Sequence, residues 1–273
     1  MLGALLIVFR EVMEAGLVVG IALAATRGIS DRGWWVSLGV VTGILGASVV
    51  ATFAGAISSA FSGSGQELLN AVVLIVAVLS LTWHNVWMAE HGRELVAELR
   101  QVGADVSAGR RPLAALAVVV FIAVMREGSE IVLFLYGIVV SGTSTQSLLA
   151  GGLLGLLAGA CLTGLSYLGL IAIPTRYIFS VTTVLLTLLA AGMAAQAIRF
   201  LQAAGVVTAL PMHVWDTSWL LPDSSILGRL LHVLVGYTAK PTAMQLLVYL
   251  LTLATILMLM RLSSASRRHA AQA

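Results

Sequence analysis

The stretch from Phe9 to Ala15 reads Phe-Arg-Glu-Val-Met-Glu-Ala and places three ionisable side chains inside an apolar run that covers residues 2–25. Each such side chain costs about 2.5–3.5 kcal/mol at the centre of a membrane-spanning helix, so the segment must recover this cost through pairing, water or a ligand. Ionisable residues at that depth are by default functional. This stretch therefore indicates both the class of the protein and the place of its function.

The composition of the chain excludes a soluble protein. Of its 273 residues, 59% are hydrophobic and only 10% are charged, against about 25% charged in soluble domains, and the mean hydropathy is +1.02. The net charge of +3 comes mostly from short connections and the C-terminal end, so it predicts orientation in a membrane and no nucleic-acid partner. A single cysteine, Cys161, excludes a disulfide framework or a thiolate metal site within one chain.

Seven apolar runs are long enough to cross about 30 Å of hydrocarbon. The charges in the first run argue against a cleaved signal peptide, so we expect that run to form the first helix. The predicted fold class is therefore an all-α polytopic membrane protein with seven transmembrane helices. The runs lie near residues 2–25, 34–60, 67–90, 113–140, 147–172, 177–203 and 242–261.

The positions of Lys and Arg predict how the chain lies in the membrane. Basic residues follow the first, third and fifth runs and occur in the C-terminal tail, whereas the connections 61–66 and 141–146 contain none. By the positive-inside rule the N-terminus lies outside and the C-terminus in the cytoplasm. The expected location is the cell membrane, as a multi-pass protein of a bacterial inner membrane.

The charged pattern occurs twice, because Met125 to Ile131 reads Met-Arg-Glu-Gly-Ser-Glu-Ile and follows the first motif at an offset of 116 residues. Glycines of the second run also have counterparts in the fifth. Two copies of a three-helix unit must have opposite orientations, as in many transporters with inverted repeats. We expect one membrane domain over 1–273, with repeats at about 1–92 and 113–203, a loop at about 93–112, an outer loop at 204–241, and a seventh helix with a cytoplasmic tail at 242–273. The paired glycines are Gly39, Gly43 and Gly46 with Gly151, Gly155 and Gly159.

Within each motif the helical spacing places one guanidinium and two carboxylates on adjacent positions of one face. If the repeats face each other, four carboxylates meet two guanidiniums and leave a formal charge of −2, which a cation would satisfy. The alternative is that the pairs Arg10–Glu14 and Arg126–Glu130 only hold the helices together. That alternative leaves one carboxylate per motif without a partner, namely Glu11 and Glu127.

Carboxylate oxygens favour hard cations such as Mg²⁺, Ca²⁺, Mn²⁺ or iron. The third run ends with His84 and Met88 on one helix face, where His84 either packs, binds a metal or relays protons. In the outer connection, Asp216 and Asp223 lie among Trp residues. These belong either to an interfacial belt or to a vestibule that attracts a cation, so His84, Met88, Asp216 and Asp223 are candidate pathway residues.

The two Arg-Glu-x-x-Glu motifs, in the first and fourth of seven runs, resemble those of the oxidase-dependent iron permeases, which include the fungal high-affinity iron permease and bacterial Efe-type permeases. The resemblance extends along nearly the whole chain. It implies that iron is the transported substrate, with Arg10 and Arg126 orienting the acidic ligands. It also implies an extracytoplasmic ferroxidase or iron-delivery partner, here on a separate polypeptide. The implied iron ligands are Glu11, Glu14, Glu127 and Glu130.

The expected function is thus that of an iron permease, a transporter that moves iron inward after oxidation by a partner. One alternative is transport of another hard divalent metal such as Mn²⁺ through the same carboxylates. Another is an intramembrane metal-dependent enzyme that uses the glutamates and His84 to activate water. A purely structural subunit is disfavoured, because a scaffold has no need of repeated unpaired acids. The sequence leaves open Fe²⁺ or Fe³⁺, the energy source and the oligomeric state.

Overall fold

The computed structural model describes residues 1–60, 65–169, 175–223 and 225–270. Over these residues the chain forms eight α-helices, most of them long enough to cross a bilayer. The helices are α1 (Leu2–Ala25), α2 (Arg32–Ala60), α3 (Gln66–Ser107), α4 (Ala114–Val140), α5 (Thr145–Tyr167), α6 (Thr175–Ala203), α7 (Ile226–Val235) and α8 (Ala243–Ala270).

Five helices in the described part of the chain, α2, α3, α5, α6 and α8, are long and apolar enough to cross a membrane. Two more, α1 and α4, contain 24 and 27 residues, and each carries one Arg and two Glu. The all-helical fold class is therefore confirmed. Each of the seven predicted apolar runs falls on one long helix, and only the end of the fifth run, 170–172, lies outside the described residues.

The predicted loop at 93–112 is wrong for most of its length, because α3 continues to Ser107. Leu99 and Val106 lie on one face of this extension and are buried, while Arg100, which follows Leu99, is exposed. On the same face, Gly103 lies against Ala25 at the end of α1, and the Ser107 hydroxyl donates to the Ala25 carbonyl at 2.9 Å. An amphipathic helix thus replaces the loop, since it has an apolar surface to pack on.

The connection 204–241, expected as an outer loop and called the outer connection below, contains the short helix α7 and a paired segment. Ser225 begins α7 by accepting a hydrogen bond from the Gly228 amide at 2.9 Å, and Gly236 ends it with a φ of 71°. Backbone hydrogen bonds from the amides of Val214 and Thr217 to the carbonyls of Pro241 and Ala239 then join the connection to the segment before α8. This part of the chain is therefore structured outside the seven long helices.

In each predicted repeat, the first helix packs against the second helix of the other repeat. Thus α1 packs against α5, and α4 packs against α2. A Cβ atom on Gly155 would lie 2.6 Å from the Leu5 carbonyl oxygen and 3.0 Å from Val8 Cβ, and a Cβ atom on Gly43 would lie 2.7 Å from Val124 Cβ. Val8 and Val124 are separated by the same 116 residues as the two charged motifs. The glycines therefore allow equivalent close contacts in both halves, as their spacing predicted.

A dense apolar core fixes the helices on one side of the charged motifs. Side chains from α1, α3, α4, α6 and α8 meet in this core, and several of them have no exposed surface. Because the core is close-packed, the backbone of α1 and α4 near the motifs has little room to shift. Its fully buried members include Ile7, Leu74, Leu81, Phe134 and Leu186.

Candidate metal site

The two charged motifs meet in the interior of the described bundle, where α1 packs against both α3 and α4. Glu11 has no exposed surface, and Arg10 and Glu14 are 2% and 4% exposed. In the second motif Glu127 is also buried, whereas Glu130 retains 15% exposure of its side chain. Charges at this depth require partners, because desolvation of an unpaired charge costs several kcal/mol.

In the first motif, Arg10 is held by two hydrogen bonds. Its Nε donates to Glu14 Oε1 at 2.8 Å, and its Nη1 donates to Asn85 Oδ1 on α3 at 2.9 Å. The ion pair expected between residues four apart on one helix is therefore present. Asn85 supplies a second acceptor from outside the motif and fixes the direction of the guanidinium.

In the second motif, Arg126 Nε lies 3.2 Å from Glu130 Oε1 and 3.9 Å from Glu127 Oε1. The Arg126 guanidinium also lies over the Trp87 ring, 4.5 Å from its centroid. The same ion pair is therefore formed here, but the partner from α3 is an aromatic face in place of an amide. The two motifs have the same sequence pattern and different surroundings.

His84 on α3 connects the two motifs. Its Nε2 lies 3.3 Å from Glu14 Oε2, and its Nδ1 contacts Glu130 Oε2. The ring is 1% exposed, so both nitrogens are shielded from bulk solvent. The second glutamates of the two motifs are thus linked through a single imidazole.

Four side chains offer ligand atoms that lie within 4.8 Å of one another, namely Glu11, His84, Glu127 and Glu130. Both carboxylate oxygens of Glu11 and Oε2 of Glu127 are buried without a hydrogen-bond partner among the described residues. Oxygens at about 2.0–2.2 Å from a shared ion lie roughly 2.8–4.4 Å apart, depending on the coordination geometry, so a contraction of the group would bring it onto one metal. The chemistry of the set, three carboxylates and one imidazole, suits a divalent transition metal.

Glu14, a predicted ligand, lies beside this group and outside it. Its two oxygens face Arg10 and His84, so within the described contacts it serves to orient His84. Met88 follows His84 by one turn of α3 and is half-buried. Its place in a pathway stays a prediction.

The two outer aspartates make contacts within the outer connection. Asp216 pairs with Lys240 at 2.9 Å, and hydrogen bonds from Ser218 and Lys240 lower the pKa of Asp216 to about 2. Asp223 Oδ1 accepts a hydrogen bond from the Ala239 amide at 2.9 Å. Both carboxylates thus hold segments of this connection together.

Asn85 and Trp87 were not assigned a role from the sequence, although they lie one and three residues after His84. A signal was available, because a buried arginine with a single carboxylate partner has donors left over and needs another acceptor or an aromatic face. What the sequence lacks is the rotation of α3, which decides which of its side chains face the motifs.

An apolar groove lies beside the four-residue group. It has a volume of about 680 Å³, is formed by α1, α2, α4 and α5, and reaches Glu11 and Glu127 at its floor. Its other polar side chains are hydroxyls, those of Ser48, Thr163 and Tyr167. One side of the candidate site is therefore bounded by a cavity, and the opposite side by the core.

Comparison with known proteins identifies the family. Residues 1–266 match the family described as Iron permease FTR1 family. The ferrous iron permease EfeU of Escherichia coli O6:H1 is 32% identical over 253 residues, which cover 91% of each chain. EfeU of Yersinia pestis is 31% identical over 259 residues, which cover 93% of this chain and 91% of that protein. No solved structure matches the chain. The resemblance drawn from the motifs is confirmed, and the chain belongs to the FTR1 family of iron permeases, which are transporters and not enzymes.

Proposed function

We propose that this permease carries ferrous iron into the cell through a site formed by Glu11, His84, Glu127 and Glu130. The observation that carries the proposal is the buried group of three carboxylates and one imidazole within 4.8 Å, in which Glu11 has no partner for either oxygen. Burial without a hydrogen bond is costly for a carboxylate. A cation at this position would remove that cost.

The charge of the site matches a divalent ion. The two motifs contribute four carboxylates and two guanidiniums, a formal charge of −2 with His84 neutral. Fe²⁺ would neutralise it, and the imidazole adds a nitrogen ligand that iron accepts. The relatives are named ferrous iron permeases, and the oxidation state that we propose for the bound ion follows that name.

We further propose that all seven long helices cross the membrane, with the N-terminus outside and the two three-helix repeats inverted. Support comes from the equivalent contacts of Gly43 and Gly155 and from the exchange of partners between the halves. The charges in α1 and α4, which are costly in lipid, point at one another and at α3. A helix that carries its charges toward the bundle interior can cross a bilayer.

We also propose a separate extracytoplasmic partner that binds and delivers Fe²⁺. A ferroxidase, which the resemblance implied, would supply Fe³⁺ and does not match the Fe²⁺ proposed for this site. The outer connection has backbone pairing of its own and exposes large apolar side chains, with Trp219 81% exposed and Met212 67% exposed. Exposed aromatic residues on a structured segment are typical of protein contacts as well as of membrane interfaces. This surface is where we expect the partner to dock.

The test uses purified protein in liposomes and measures uptake of radioactive Fe²⁺ under anaerobic conditions. Glu11→Gln keeps the size of the side chain and removes its charge, and we expect iron affinity and uptake to fall by at least about 10- to 100-fold, the loss seen even for residues that only support a metal ligand. Glu67→Gln, at the exposed start of α3, is the matched control and should transport normally. Equal uptake by the two variants would refute the site.

Transport of Mn²⁺ is the remaining alternative, and competition separates it from iron. A site with an imidazole ligand should prefer Fe²⁺ to Mn²⁺, since affinity rises from manganese to iron in the first transition series. Excess Mn²⁺ should therefore reduce Fe²⁺ uptake only weakly. Stronger inhibition by Mn²⁺ than by an equal excess of unlabelled Fe²⁺ would favour manganese as the substrate.

A further inference from the structure

The two motif arginines differ in their freedom to move. Arg10 is 2% exposed and has two hydrogen bonds, to Glu14 and Asn85. Arg126 is 33% exposed, and its described contacts are the carboxylates of its own motif and the face of Trp87. Arg10 is thus fixed inside the bundle, and Arg126 lies at its accessible side.

Arg126 also lies where its positive charge would oppose a bound cation. Its Nε lies 3.2 Å from Glu130 and 3.9 Å from Glu127, two members of the four-residue group. A metal bound by these carboxylates would bring a divalent charge to within a few ångströms of the guanidinium, and the two like charges would repel each other. One of the two charges must therefore withdraw when the other is present.

The Trp87 ring offers a place to which the guanidinium can withdraw. A cation within about 6 Å of an indole centroid is attracted by the ring face, and Arg126 already lies 4.5 Å from it. The ring is itself held by stacking on His91, with centroids 5.3 Å apart and an angle of 17° between the planes. Trp87 therefore contacts the guanidinium without a hydrogen bond, and this contact does not depend on the carboxylates.

We propose that Arg126 is a displaceable charge: it neutralises Glu127 and Glu130 while the site is empty, and it rests on Trp87 while a divalent cation occupies the site. Trp87 is then a positioning residue that favours cation binding by stabilising the withdrawn arginine. This inference rests on the proposed function. On this inference the arginine of the second motif moves, whereas the arginine of the first motif stays fixed.

The experiment compares three variants by anaerobic Fe²⁺ binding to the purified protein and by the KM and maximal rate of Fe²⁺ uptake in liposomes. Trp87→Leu removes the aromatic face, Trp87→Phe keeps a weaker one, and Trp83→Leu changes a 71% exposed tryptophan one turn away on α3. We expect Trp87→Leu to raise KM and the Fe²⁺ dissociation constant about two- to fivefold, the effect of losing a partly exposed cation–π contact. The maximal rate should stay near that of the unchanged protein.

The graded series separates positioning from general damage to the fold. Trp87→Phe should restore most of the affinity, and Trp83→Leu should leave both constants unchanged. If the unchanged protein binds and transports Fe²⁺ while Trp87→Leu has an unaltered KM, this inference is overturned and the proposed function stands. If Trp87→Leu and Trp87→Phe lower only the maximal rate and to the same extent, the role is structural and the inference fails. Absence of Fe²⁺ binding by the unchanged protein overturns both.

Discussion

Replacement of Gly155 by Ala tests whether the charged motif depends on the close packing of α5 against α1. The new Cβ atom would lie 2.6 Å from the Leu5 carbonyl oxygen and 2.9 Å from the Phe9 amide nitrogen. Both are backbone atoms, so no side chain can rotate away to relieve the overlap. Because Phe9 directly precedes Arg10, the displacement would be transmitted to the first turn of the motif.

The size of the displacement follows from the distances. A Cβ atom 2.6 Å from the Leu5 carbonyl oxygen is about 0.8 Å short of an ordinary contact at 3.4 Å, so α1 and α5 must separate by roughly that amount. Overpacking of this kind costs about 1–3 kcal/mol. A misplacement of about 1 Å in a reacting group can lower a rate about 100-fold, and we expect iron uptake to fall about 10- to 100-fold.

The matched control is Gly152→Ala on the same helix, where the added Cβ would meet nothing within 4 Å. Since Ala is favoured over Gly in a helix by about 0.5–1 kcal/mol, the control should be as stable as the original protein or more stable. Thermal unfolding in detergent and Fe²⁺ uptake in liposomes measure both effects. Gly43→Ala, at the equivalent contact of α2 with α4, should behave like Gly155→Ala. Transport by Gly155→Ala equal to that of Gly152→Ala would refute the coupling between packing and site.

Two further predictions concern His84 and Asp216. His84→Gln keeps a polar side chain but cannot contact Glu14 and Glu130 with the same geometry, so we expect at least about tenfold weaker Fe²⁺ binding. Titration of the purified protein with Fe²⁺ measures this. Unchanged binding would exclude His84 as a ligand. Asp216→Asn should leave Fe²⁺ uptake near its original value, because that carboxylate is already paired with Lys240. The pKa of Asp216 is lowered from 3.8 to about 2, so its stabilising contribution should be complete above pH 4 and lost as the pH falls toward 2. Measuring the stability of the original protein and of Asp216→Asn between pH 2 and neutral pH checks this sign. A difference in stability that appears only above pH 4 and grows toward neutral pH would contradict it.

The sequence predicted the fold well where hydrophobic length alone decides structure. Each apolar run lies on a long helix, the structure in which a chain in apolar surroundings satisfies its backbone hydrogen bonds internally. It failed at residues 93–107, where the helical continuation depends on a tertiary surface, the end of α1 at Ala25. It also failed at α7, whose start at Ser225 and end at Gly236 are local signals that a reading by hydropathy overlooks.

The structure brings the two charged motifs together, as the sequence led us to expect, through a histidine of α3. Their role as a metal site stays a prediction. Duplication of the motif indicated that Glu11 and Glu127 would lack full partners, and the described contacts agree for Glu11. From the sequence, all four glutamates were expected to be metal ligands. The structure instead groups His84 with Glu11, Glu127 and Glu130 and places Glu14 beside this group. Helical spacing fixes which residues share a face of one helix. It does not fix which faces of α1, α3 and α4 meet.

With His84 in the proposed ligand set, the site acquires a selectivity that the duplicated motif alone would lack. Carboxylates alone suit Mg²⁺ and Ca²⁺ as well as iron, and these ions are hard enough to need no nitrogen ligand. An imidazole shifts preference toward transition metals, but it favours Cu²⁺ and Zn²⁺ over Fe²⁺ by the ordinary order of affinities. In the proposed site the imidazole favours transition metals over the alkaline earth ions, and affinity alone does not favour iron over copper or zinc. Selectivity among transition metals then depends on the geometry of the site and on which metal is available. We propose that an iron-specific delivery partner, docked on the outer connection between α6 and α8, controls that availability.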